Sequence, residues 1–155
     1  MPIVIRAVAE DEPPALLRLY THLNPNDPPL PLDEAARIWP SIVQDPNHCV
    51  YGVYWGNKWE ETLVAACTLV TIPNLTRGGR PYALLENVVT HADYRRRGCG
   101  TALLKHALEA AWAQNCYKVM LMTGSKKEQT LRFYENVGFK RGDKTGFVAR
   151  PETTP

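Results

Sequence analysis

The sequence predicts an α/β domain with a central, mostly antiparallel sheet and helices on both faces, and three observations predict it. Strand-like runs outnumber helical ones, and the two kinds are interleaved along the chain. Thr101–Asn115 carries Leu103, Leu104, Ala107, Leu108, Ala111 and Trp112 at helical spacing. A Gly-containing turn, Arg95–Gly100, joins that helix to the apolar run Tyr82–Thr90. A chain of 155 residues suits one domain, 1–155, with 151–155 a loose tail.

The elements follow in order. Ile3–Val8 alternates and reads as a short strand. Asp11 is placed to cap a helix reaching about Leu23, with Pro13 and Pro14 in its first turn, where proline is tolerated. The proline-rich stretch Asn24–Pro31 lacks too many N–H donors to be regular structure. Leu32–Val43 reads as a second helix, interrupted at Pro40. Cys49–Trp55 and Thr62–Ile72 form a hairpin through a turn at Gly56-Asn57-Lys58. Pro73–Pro81 is a polar loop, and Tyr82–Thr90 a strand. Tyr117–Thr123 is a further apolar strand. Glu128–Val137 is a helix closed by Gly138, and Phe139–Arg141 and Thr145–Ala149 read as two closing strands.

Composition narrows the function. Lys and Arg number 18 against 16 Asp and Glu, so the net charge of +2 argues against a dedicated nucleic-acid binder. That total hides an asymmetry: residues 1–61 balance at −5 and residues 62–155 at +7, which hints that the second part meets an anion. Cys49, Cys67, Cys99 and Cys116 form no CxxC pair, so neither a zinc site nor a disulfide framework is expected. No stretch approaches the roughly 18 apolar residues that span a bilayer, and no secretory leader is read at the start. The expectation is a cytoplasmic protein with no membrane partner.

The chemistry is carried by Val88–Leu104. A strand runs through a turn with Gly98 and Gly100 into a long helix. The free N–H groups of a helix start, its dipole and close backbone approach at glycine make a phosphate or pyrophosphate cradle. Arg95, Arg96 and Arg97 strengthen it, because a guanidinium grips phosphate in a fork. A Walker loop is absent, and the stretch lacks the third glycine of a dinucleotide fingerprint.

Arg95-Arg96-Arg97-Gly98-Cys99-Gly100 matches the (Q/R)-x-x-G-x-(G/A) signature of the GNAT N-acetyltransferase superfamily, and Phe133-Tyr134-Glu135-Asn136-Val137-Gly138-Phe139 matches its second signature, FYExxGF. From Ile3 to Ala149 the element order resembles that family. The resemblance implies a sheet of about six to seven strands with a splayed parallel pair, Tyr82–Thr90 and Tyr117–Thr123. It implies acetyl-CoA (coenzyme A) as cofactor, with pyrophosphate on the amides of Arg96 to Thr101, Cys99 among them, and pantetheine beside Val88, Val89 and Thr90 like an added strand. Where many members carry an amide side chain this chain has Lys127, a candidate partner for a phosphate.

The resemblance also assigns roles. Tyr134 is the candidate general acid for the leaving thiolate, since a phenol of ordinary pKa about 10 can give and recover a proton. A backbone N–H near Val88 is placed to bind the thioester oxygen. Glu86, the single carboxylate in Tyr82–Thr90, is the candidate base or amine-binding group; alternation puts it on one face with Val88 and Thr90. His91 is a weaker base candidate. Asp27 and Tyr51 are candidate substrate contacts, with Asp33, Glu34, Trp39, Trp55, Arg77 and Arg80 as secondary ones. The reading is therefore an N-acetyltransferase acting on a small-molecule primary amine. Its alternatives are a protein or peptide amine acetyltransferase and a non-catalytic acyl-CoA-binding module. A homodimer is compatible with the resemblance.

Overall fold

The computed structural model describes residues 2–57 and 59–152. Lys58 of the expected hairpin turn and 153–155 of the expected tail lie outside the described residues. The chain divides into two compact units, Met1–Leu121 and Met122–Pro155. The first holds five strands, β1 (Ile3–Ala7), β2 (His48–Asn57), β3 (Glu60–Ile72), β4 (Tyr82–Thr90) and β5 (Val119–Leu121). It also holds three helices, α1 (Pro13–Tyr20), α2 (Leu32–Val43) and α3 (Cys99–Ala113). The second holds α4 (Glu128–Val137). Among the described residues no helix is long and apolar enough to cross a membrane.

The strands lie in the order β1-β2-β3-β4-β5, antiparallel except for the β4–β5 pair. Five strands fall short of the expected six to seven, because Phe139–Arg141 and Thr145–Ala149 are not strands. The first of these runs turns at Arg141 before Gly142-Asp143-Lys144, and in the second Phe147 is 90% exposed. An extended run that buries no apolar face gains little from joining a ladder.

Cross-strand partners share a face, which sorts the sheet into two layers. On the first face Val50 aligns with Thr68 and Thr68 with Glu86, while Ala66 aligns with Val89. Val50, Ala66 and Val89 form one core with Leu16 and Leu19 of α1 and Trp39 of α2. On the second face Val53 aligns with Ala65, Tyr51 with Cys67, and Leu69 with both Cys49 and Leu85. There Tyr51 meets His106 of α3, ring centroids 4.9 Å apart. Leu103 and Leu104 of α3 are fully buried, each worth about 2 kcal/mol of apolar burial.

Two helix ends differ from expectation. The residue before α1 is Glu12, not Asp11, and it caps nothing with its side chain. Its carboxylate is held instead by Arg6 (Nη1 to Oε2 and Nη2 to Oε1, both 2.9 Å), the Ala9 N–H (2.7 Å) and the Tyr54 hydroxyl (2.8 Å). The Arg6 guanidinium also lies 3.6 Å over the Tyr54 ring. Helix α2 runs through Pro40 to Val43 without interruption. The proline offers no N–H to the Ala36 carbonyl one turn back, and Ala36 is exposed, so that carbonyl can be solvated.

Candidate active site

β4 pairs with β5 only across Ala83–Val119, Leu84–Met120 and Leu85–Leu121. Beyond Leu85 no described strand continues the ladder on that side, so Glu86–Thr90 presents an open backbone edge. The parting coincides with a β-bulge. Between the pairs Thr68–Glu86 and Ala66–Val89, Cys67 alone on β3 opposes Asn87 and Val88 on β4. Asn87 takes the left-handed conformation, φ 53°, which asparagine tolerates better than most residues.

The bulge corrects the expected alternation. Glu86 shares the first face with Val89, whereas Thr90 aligns with Ala65 on the second. The Glu86 side chain is exposed and makes no hydrogen bond or ion pair among the described residues, so the expected confinement of this carboxylate beside an apolar channel does not apply. Beside its cross-strand partner Thr68 stands Tyr20, the last residue of α1; burial pushes the Tyr20 phenol up. Tyr51 faces α3 on the other layer, so the structure does not bring it to Glu86. Burial pushes the Tyr51 phenol up to about 12. Asp27 is exposed on the loop between α1 and α2, its N–H bonded to the Asn24 carbonyl at 3.1 Å.

Past Thr90 the chain builds a cradle. The His91 N–H bonds the Val64 carbonyl at 2.8 Å, and a short 3-10 turn, Ala92–Tyr94, follows. Arg96 (φ 62°) and Gly98 (φ 80°) are both left-handed, and Gly98 precedes α3. The first intrahelical bond is donated by Ala102 to Gly98 O at 2.9 Å. The amides of Cys99, Gly100 and Thr101 therefore have no helical acceptor. With Arg96 and Gly98 they form a concave run of donors suited to an anion. The side chain of Cys99 is buried, and Val89 packs into the core, so both could meet a cofactor only through backbone.

The three arginines differ. Arg95 is spent on backbone, Nε to Thr90 O at 3.3 Å and Nη2 to His22 O at 3.5 Å. Arg97 lies 5.4 Å over Trp55 and 5.4 Å over Tyr94. Arg96 is exposed and makes no ion pair among the described residues, which leaves it the most available for a phosphate. Sequence reasoning missed His22, whose ring lies 4.0 Å from that of His91 and whose Nδ1 accepts the Ala92 N–H at 3.3 Å. It ties the end of α1 to the cradle. Burial, with His91 and Arg95 close by, lowers its pKa. A lone histidine after α1 carries no sequence signal for this. Gly98→Val should raise the dissociation constant for coenzyme A about tenfold. A left-handed β-branched residue costs about 1–2 kcal/mol. An unchanged value in calorimetric titration would exclude this turn as the cradle.

In the second unit Tyr134 is half-buried on α4, with ring centroids 5.1 Å from Phe133 and 6.3 Å from Phe139. Gly138, φ 115°, closes the helix. Arg141 binds both Glu128 and Glu135, clamping the two ends of α4. Lys127 is the exposed residue before α4, and its N–H bonds Ser125 Oγ at 3.3 Å. Among the described residues no cluster of metal-ligating side chains occurs.

The chain belongs to the acetyltransferase (GNAT) family, which it matches over residues 15–139. Acetyltransferases of this family take the acetyl group from acetyl-CoA. A solved structure from Agrobacterium tumefaciens str. C58, classed as an acetyltransferase, is 41% identical and superposes with a TM-score of 0.87 over 96% of this chain and 99% of that one. A glucosamine 6-phosphate N-acetyltransferase of Trypanosoma brucei brucei is 38% identical over 78 residues, half of this chain and 51% of that protein. An N-alpha-acetyltransferase 30 of Xenopus laevis is 44% identical over 50 residues, 32% of this chain and 18% of that protein. The chain thus spans about half, or less, of the curated relatives it matches.

Proposed function

We propose that this protein is an N-acetyltransferase that moves the acetyl group of acetyl-CoA to the primary amine of a small molecule by direct attack. The observation that carries the reading is the open edge Glu86–Thr90 ending in the amide run Arg96–Thr101. The residues fit the cofactor: the amide run and exposed Arg96 suit its pyrophosphate, and Lys127 is a further candidate for a phosphate. The backbone of Val88, Val89 and Thr90 is available to pair with an extended amide chain. When bound, the cofactor supplies an activated acetyl thioester.

The chain's own groups would do the rest. Glu86 would orient the acceptor amine and take its proton, directly or through water, at a carboxylate oxygen. Tyr20 and Thr68 stand on the same face as Glu86 and would line the acceptor side with Asp27. A backbone N–H near Val88 would stabilise the developing oxyanion, and Tyr134 Oη would hold the proton for the leaving group. The likeness to a glucosamine 6-phosphate N-acetyltransferase supports a small amine acceptor. The likeness to an N-alpha-acetyltransferase favours a second reading, a peptide α-amine.

An amine library scored by free-thiol release from acetyl-CoA tests the proposal, with amino sugars, small amines and peptides as separate arms. Turnover with peptides alone would replace the first reading by the second. With the best acceptor, Glu86→Gln should lower kcat/KM about 10²-fold near neutral pH. The deficit should shrink as pH rises and free amine accumulates. An unchanged rate would remove Glu86 from the reaction.

A further inference from the structure

The turn that feeds the cradle is held by two imidazoles. Ala92–Tyr94 is a single 3-10 turn, so the N–H groups of Ala92 and Asp93 find no acceptor within it. The Tyr94 N–H returns to the His91 carbonyl at 2.9 Å. The Asp93 N–H is accepted by His91 Nδ1 at 3.2 Å. The Ala92 N–H is accepted by His22 Nδ1 at 3.3 Å, from a residue 70 positions earlier in the chain. The two rings lie 4.0 Å apart, and Tyr94 meets His91 edge-on at 5.5 Å. The His22 backbone completes the tie, because its carbonyl accepts Arg95 Nη2 at 3.5 Å. Arg96 and Gly98, the left-handed residues of the cradle, follow at once.

Nδ1 can accept only while it carries a lone pair. A neutral imidazole with its proton on Nε2 has one there, whereas an imidazolium has donors at both nitrogens. A proton on His22 would set one N–H against another and strand the Ala92 donor. The surroundings also oppose that proton. Burial, His91 and Arg95 disfavour a charge on His22, and Asp93, the weakest of the four influences, favours it. His91 differs, because its Nδ1 lies 4.0 Å from the Asp93 carboxylate. A proton there gains an ion pair that offsets the lost acceptor, so the sensitivity falls on His22.

We propose that His22 is a positioning residue for the cofactor: as a neutral imidazole it holds the Ala92–Tyr94 turn in the form that presents the Arg96–Thr101 amides to an anion, and its protonation releases the turn and weakens coenzyme A binding. The proton and the turn compete for one lone pair. This rests on the reading of that amide run as the coenzyme A cradle.

Calorimetric titration of the full chain with coenzyme A, at about pH 8 and about pH 5, tests it. His22→Ala should raise Kd about tenfold at the higher pH. His22→Asn, whose side-chain oxygen replaces Nδ1 as acceptor and does not titrate, should stay within about threefold of the wild type there. Between the two pH values the ratio of the wild-type Kd to the His22→Asn Kd should rise about fivefold. That ratio removes the titration of the coenzyme A phosphate, which both proteins meet alike. In the free protein the Ala92 amide resonance should move with the His22 ring resonances and lose that step in His22→Asn, a readout that does not need the alanine variant to fold. The proposal is overturned if His22→Ala binds as the wild type does, if His22→Asn is no better than His22→Ala, or if the Ala92 amide ignores His22. It is also overturned if the wild type holds or gains affinity relative to His22→Asn as pH falls; a gain would make His22 a cation that attracts the cofactor. Loss confined to the variants or to low pH concerns His22, whereas a wild type that binds no coenzyme A at either pH would overturn the acetyltransferase reading as well.

Discussion

Tyr134→Phe should leave coenzyme A affinity within about threefold and lower kcat about 10²–10³-fold, the usual scale for loss of a positioned general acid. The ring contacts with Phe133 and Phe139 are aromatic surface that phenylalanine keeps, so the fold of α4 should not change. The loss should be largest for acceptors whose attack is fast, because there expulsion of the thiolate limits the rate. Steady-state kinetics beside calorimetric titration separates the outcomes. Unchanged turnover would remove Tyr134 as the acid. Lost affinity would make it a binding group. Normal binding by a wild type that acetylates nothing would favour the non-catalytic acyl-CoA module.

Glu12→Ala should cost about 2 kcal/mol of stability, or about 4–8 °C in Tm for a chain of this size. The carboxylate receives two bonds from Arg6, one from the Ala9 N–H and one from the Tyr54 hydroxyl. Its removal leaves a guanidinium on an aromatic face without its principal anion. These contacts, the Arg6 bonds foremost, lower the Glu12 pKa to about 2 from 4.5. A carboxylate whose folded pKa is depressed contributes stability above its unfolded pKa and loses it as pH falls towards the folded one. The gap between wild type and variant should thus be full at neutral pH and close between about pH 5 and pH 2. Chemical denaturation across that range checks it; a constant gap would mean that Glu12 acts through packing and not through charge.

Helices with strong periodicity and a clear stop were legible in the sequence. Glu128–Val137 is found as read because Gly138 closes it, and Leu32–Val43 has the extent read but not the expected interruption at Pro40. β4 is found from Tyr82 to Thr90 as read. The turn that leads into α3 was legible because glycine spacing and a helix start are local features. What was not legible depends on partners distant in sequence. The bulge exists only as a mismatch between β3 and β4, so no reading of β4 alone could place Glu86 on the correct face. Arg6 took Glu12 away from the helix cap in the same way. Tyr51 looked like an aromatic wall, yet strand parity turned it towards His106. The expected closing strands failed because β-propensity in 145–149 is not matched by a face to bury.

The extra residue at Asn87 has a consequence for how this gene can change. β4 tolerates a swap of letters far better than a change in their number. Deleting a single codon in the bulge would restore strict alternation and invert every residue on one side of the cut relative to the other. Either the acidic side chain at 86 would move to the helix-α3 layer, or Val89 would leave its core for water. An in-frame loss of three nucleotides would thus act here as a frameshift in space, and lineages descended from this chain should vary in composition along β4 long before they vary in its length.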